Sequence, residues 1–215
     1  MTAITATTSQ PIPDISRRSP KAAGLAYVGA WIVGLTAFGT GPGADATNAD
    51  IARYFADHPV STAAQSLLIH GAAAVALYVV LTAVARTRAS TRTAHIAGVL
   101  GVALSLVQFA LGLWRSLVST GSTTSTLVDV IDRVDGLKML AFAVMIGASI
   151  TALRAAATIG GRMAMTGAVA TAALVVSGVA YAGAVSALLG TAAVSLVLLL
   201  TWVGHLGFAA GRGTA

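Results

Sequence analysis

Residues 62–85 read TAAQSLLIHGAAAVALYVVLTAVA, and they decide the fold. The run holds no Asp, Glu, Lys or Arg. It exceeds the roughly 20 apolar residues that a helix needs to cross a hydrocarbon core of about 30 Å. Backbone groups in hydrocarbon have no water to bond, so such a run must satisfy itself as a helix. The alternation of a membrane barrel strand is absent. Arg86-Thr87-Arg88 closes it, a basic flank of the kind that stays in the cytosol.

Five similar runs surround it, at about 22–40, 95–115, 137–156, 163–186 and 189–211. Gly41-Pro42-Gly43 ends the first. Only Ser186, Gly190 and Thr191 mark the turn between the last two, where length implies a tight hairpin. The expected fold is all-α: a polytopic membrane helix bundle of about six transmembrane helices over 22–212. Residues 1–21 are polar and carry Pro11, Pro13 and Pro20, so they read as a disordered cytoplasmic tail. Arg17-Arg18 before an apolar run, with Ala44-Asp45-Ala46 beyond it, has the look of a twin-arginine export signal. The spans that follow favour a basic anchor for the first helix instead.

Composition agrees. The 215 residues are 56% hydrophobic and 9% charged, against about 25% charged in a soluble domain. So few charges cannot cover a water-facing surface, and the lipid bilayer is the first expected partner. A net charge of +6 would raise nucleic acid as a partner in a soluble chain. Here the basic residues fall in short gaps between apolar runs, which points to orientation and away from nucleic acid. With the N-terminus inside, nine of the 13 Lys and Arg lie on the inner side: Arg17, Arg18, Lys21, Arg86, Arg88, Arg92, Arg154, Arg162 and Arg212. Arg53, Arg115, Arg133 and Lys138 lie outside. The split predicts a multi-pass protein of the inner (plasma) membrane with both termini cytoplasmic. The chain has no cysteine, hence no disulfide and no thiolate ligand.

Two outer segments carry helical signals. Thr47 can cap a helix over 47–58, with Asp50 in its first turn and Ile51, Tyr54 and Phe55 on one face. Thr124, Ser125 or Thr126 can cap another over 124–136 that runs into the fourth span. Both are expected to lie in the membrane interface.

Polar side chains inside spans are costly and few, so each needs weighing. The second span carries Gln65 and His70, and the third Gln108 and Arg115. Gln108 and Arg115 are seven residues apart and share a helix face. Asp132, Asp135 and Lys138 follow at intervals of three and share a face at the mouth of the fourth span. These seven residues can line one outward-facing cleft between the second, third and fourth helices, suited to a small polar ligand or a proton step. In the alternative, Arg115 snorkels to the interface. His70 and Gln108 then simply bond each other between helices.

His70 and His205 lie at different depths and do not suit a bis-histidine haem, and Asp57-His58 is too small a set to hold a metal. No cofactor and no metal is expected. Phosphate loops, HExxH and GxSxG are absent, so catalysis is not favoured. Gly207 and Gly211 form a GxxxG that supports close helix contact, within one subunit or between two.

The order from Trp31 through Gly41-Pro42-Gly43-Ala44-Asp45 to Ala52-Arg53-Tyr54-Phe55-Ala56-Asp57-His58 and the second span resembles small multi-pass membrane proteins frequent in actinobacteria. The resemblance covers mainly residues 31–90 and implies the same architecture, with no activity or site to carry over. The leading functional expectation is a non-enzymatic accessory or interaction protein, with a membrane-protein partner or a second copy of itself. The alternative is a small carrier or ligand sensor using the outward cleft.

Overall fold

The computed structural model describes residues 15–39, 41–42, 46–86, 90–118, 121–185 and 190–211. These form α1 (Ile15–Phe38), α2 (Asn48–Asp57), α3 (Pro59–Ser66), a π-helical turn (Leu67–Ala72), α4 (Ala73–Ala85), α5 (Arg92–Leu117), α6 (Gly121–Ala155), α7 (Gly161–Ala182) and α8 (Thr191–Ala210). Among the described residues, six helices are long and apolar enough to cross a membrane. The second of them is α3, the π turn and α4 running on as Pro59–Ala85. This is the architecture of an integral membrane protein.

The spans close into a ring in chain order. α1 packs on α4, α4 on α5, α5 on α6, α6 on α7, α7 on α8, and α8 returns to α1. Trp202, Phe142, Leu77, Met145, Ile146 and Leu174 fill the middle and are almost fully buried. Apolar side chains also face outward all round, among them Val75, Leu100, Val144, Val169 and Val197, each about half exposed or more. A soluble protein does not expose apolar surface on this scale, and hydrocarbon is the solvent that suits it.

Small residues set the helix spacing. A Cβ placed on Gly207 would come within 2.7 Å of the Pro20 carbonyl oxygen and 3.0 Å of Gly24 Cα. The glycine in the GxxxG pair therefore lets α8 meet α1 inside the subunit.

Several boundaries differ from those the sequence implies. α1 begins at Ile15, inside the stretch assigned to the polar tail, and the rest of that tail lies outside the described residues. α6 begins at Gly121, so Thr124, Ser125 and Thr126 lie in its first turns and do not cap it. Those residues are good caps only where the chain before them leaves the helix, and here it is already helical. The second outer helix is thus the leading part of the fourth span. At 1.5 Å per residue, its 35 residues reach about 52 Å, well beyond a 30 Å core. The link 186–189 between the last two spans lies outside the described residues. Ser177 Oγ and Thr191 Oγ1, 2.8 Å apart, tie α7 to the start of α8.

α2 matches its expected cap. Thr47 Oγ1 accepts from the Asp50 amide at 3.2 Å, while the Thr47 amide donates to Asp50 Oδ2 at 3.3 Å, a reciprocal capping box. Thr47 Oγ1 also donates to Asp50 Oδ2 at 2.6 Å, and this bond, with the one from the Thr47 amide, holds the Asp50 carboxyl below the ordinary carboxylate value. The apolar face of α2 turns onto α6, and Phe55 is buried there. The helix therefore covers the end of the bundle.

Candidate functional site: a polar cluster beneath α2

At the α2 end of the bundle, the second, third and fourth spans bring their polar side chains together. Counting from Arg92 at 1.5 Å per residue, Gln108 lies about 24 Å and Arg115 about 34 Å along α5. Lys138 lies about 26 Å from the Ala155 end of α6 on the same rise. The cluster thus sits in the last third of a 30 Å core, reaching its edge.

Its centre is Gln108, 1% exposed. Gln108 Nε2 donates to Asp135 Oδ1 at 3.0 Å and to the Ile131 carbonyl at 3.3 Å. Gln108 Oε1 accepts from Lys138 Nζ at 2.6 Å. Lys138, 3% exposed, also pairs with Asp135 one turn back on α6. Its ammonium stands 5.7 Å from the centre of the Trp31 ring. The three residues form a closed triangle in which each polar group is bonded to another. That arrangement reduces the cost of a charge at this depth.

A cavity of about 40 Å³ lies beside this triangle, lined by Gln65, Ser66, Ile69, His70, Gln108, Gly112, Arg115 and Ile131. The π turn shapes its wall. Leu67–Ala72 places His70 in the cavity wall, with Trp31 edge-on at 6.2 Å between ring centres. π turns of this kind recur at functional sites. His70 Nδ1 is buried and has no hydrogen-bond partner among the described residues. Arg115 closes the far side, its guanidinium carbon 3.9 Å from the centre of the Phe55 ring of α2. Asp132 is near enough for its charge to act on Arg115.

Of the seven residues picked out from the sequence, four line this cavity, and Asp132, Asp135 and Lys138 do not. Gln65, His70, Gln108 and Arg115 line the cavity. Asp135 and Lys138 bond Gln108 next to the cavity, and Asp132 acts on Arg115 through its charge. Gln65 also acts as a fastener, since its amide donates to the carbonyls of Gly34 and Gly39 and holds the end of α1. His70 and Gln108 do not bond each other, because Lys138 and Asp135 take the polar groups of Gln108. Arg115 lies against Phe55, where α2 covers it.

Sequence reasoning missed Ser66, Gly112, Phe55 and Trp31. One signal was present: Ser105, Gln108, Gly112 and Arg115 recur at intervals of three, four and three, which places polar and small residues on one face of α5. A Cβ on Gly112 would press on Ser66 Oγ, so the glycine brings α3 and α5 close at the cavity. Nothing in the sequence placed Trp31 or Phe55 against this face.

No protein-family model, no curated protein and no solved structure matches the chain.

Proposed function

We propose that this is a non-enzymatic plasma-membrane protein, with both termini cytoplasmic, that senses a small polar solute at the cluster beneath α2. The carrying observation is the cavity between the second, third and fourth spans. It is lined by Gln65, His70, Gln108 and Arg115, and one buried ring nitrogen of His70 has no bond among the described residues. Ionisable groups within a membrane bundle commonly mark a site of action. A nitrogen without a partner beside space for water is a place where a ligand gains a bond. Charge placement supports the orientation, since the end of the bundle away from α2 carries the larger share of Arg and Lys.

The cavity's size supports a second reading. About 40 Å³ admits water or a small ion, whereas pockets for metabolites run to roughly 300–1,000 Å³. A metabolite carrier has no room in this conformation. In the second reading the network only fastens helices together, and the protein is an accessory subunit for a membrane partner or a second copy.

Melting of the detergent-purified protein separates the two. The probes are sodium nitrate, sodium formate and ammonium chloride, each against sodium chloride at equal ionic strength. The sensor reading predicts that at least one probe raises the melting temperature of the wild type. In His70→Ala/Arg115→Ala the shift is lost, measured from that variant's own ligand-free baseline. If no probe shifts the wild type, or the shift survives in the double variant, the accessory reading stands.

A further inference from the structure

A second feature lies on the lipid-facing side, away from the polar cluster. Between α5 and α6 runs an apolar groove of about 560 Å³, lined by Ile96, Ala97, Leu100 and Leu104 of one helix and Leu137 and Ala141 of the other among its walls. Its origin is in residue size. Ala97 and Ala141 are buried and small, whereas Ile96, Leu100 and Leu137 project and are each more than half exposed. Small residues form the floor and branched ones the rim.

The groove has a direction. It starts at Thr93, which lines its end, and extends to Leu104, a rise of about 16 Å. That is roughly one leaflet of a 30 Å core. At the Thr93 end stands Arg92, exposed and one turn before Ile96. Arg154, also exposed, lies in the last turn of α6 at the same end of the bundle. Thr91 Oγ1 donates to the Ala148 carbonyl at 3.3 Å and ties the start of α5 to α6 two turns before its end. The length of one leaflet, an apolar lining and cations at one end match the outline of a single phospholipid with a negative headgroup.

We propose that the α5–α6 groove binds an anionic glycerophospholipid of the leaflet at the Arg92 end. One acyl chain lies along Ala97 and Ala141, and the phosphate is held by Arg92. This site is independent of the polar cluster and of any solute bound there. Its charge term is that of a basic residue at a membrane surface, enough for roughly a fivefold preference per arginine.

Native mass spectrometry of the full chain in detergent tests it, with dioleoyl phosphatidylglycerol and dioleoyl phosphatidylcholine added in equal amounts. Wild type is expected to retain the phosphatidylglycerol severalfold over the phosphatidylcholine. Arg92→Gln should bring the two toward parity, since it removes the charge and leaves the groove. Ala141→Leu should lower retention of both lipids, since it fills the floor. Arg92→Gln lies on the surface, so it reads out even if Ala141→Leu fails to fold. Equal retention by the wild type, or a preference that Arg92→Gln leaves intact, overturns the proposal. A dimer that Ala141→Leu disperses, with no lipid preference, would give the groove to a second copy and overturn it as well.

Discussion

Lys138 shows how one residue can be costly and stabilising at once. Its ammonium is buried in a span, yet it bonds Gln108 Oε1 at 2.6 Å and pairs with Asp135. Removing one member of such a pair leaves the other as an uncompensated charge, which typically costs about 3–5 kcal/mol. Replacing both by apolar residues of similar size is often close to neutral. Lys138→Met is therefore expected to destabilise strongly, and Lys138→Met/Asp135→Leu to recover much of the loss. Denaturant unfolding in detergent measures both, and a double variant as weak as the single one would contradict the pairing. Gln65, His70, Gln108, Arg115 and Lys138 were legible because hydrocarbon makes each an exception in its run, and Asp132 and Asp135 because they share a helix face with Lys138. The burial of Lys138 was not legible. A lysine near a span end ordinarily snorkels, and only the arrival of Gln108 and Trp31 from other helices closes over it.

At the scale of elements, α2 carries a pH dependence whose sign follows from its cap. Asp50 is held below its ordinary value of 3.8. A depressed carboxylate contributes stability that is complete above the unfolded value and is lost as pH falls through the folded one. Amide exchange across α2 should accordingly rise as pH is lowered from about 5 to about 2, beyond the intrinsic change. Thr47→Ala should reduce that dependence, since the residue-47 amide can still donate to Asp50, and weaken the helix by about 1 kcal/mol at neutral pH. Identical protection in wild type and variant throughout would contradict the capping box. This element was readable from Thr47, Asp50 and the Ile51–Tyr54–Phe55 face, because helix starts are written in local chemistry. The π turn at Leu67–Ala72 was not, because LLIHGA suits an α-helix equally well and its wider turn depends on what packs against it. The start of α6 was misjudged for a related reason: a strong capping residue signals a boundary only when its neighbours stop being helical.

For the whole molecule, the ring of six spans follows from solvent. Apolar surface faces outward, small residues let helices approach, and the polar groups gather at one end beneath α2. In the orientation proposed above, the six spans among the described residues return the chain to the side where most basic residues lie. The cavity at one end and the α5–α6 groove opening toward the other both take their meaning from that orientation. Because the chain has no native cysteine, single cysteines report on it cleanly. Asp57→Cys, at the end of α2, and Ala156→Cys, just beyond α6, would each be labelled in intact cells with a membrane-impermeant maleimide. The account predicts rapid labelling of Asp57→Cys in intact cells, and of Ala156→Cys only after permeabilisation. Labelling of Ala156→Cys from outside with Asp57→Cys protected, or of both from outside, would contradict it.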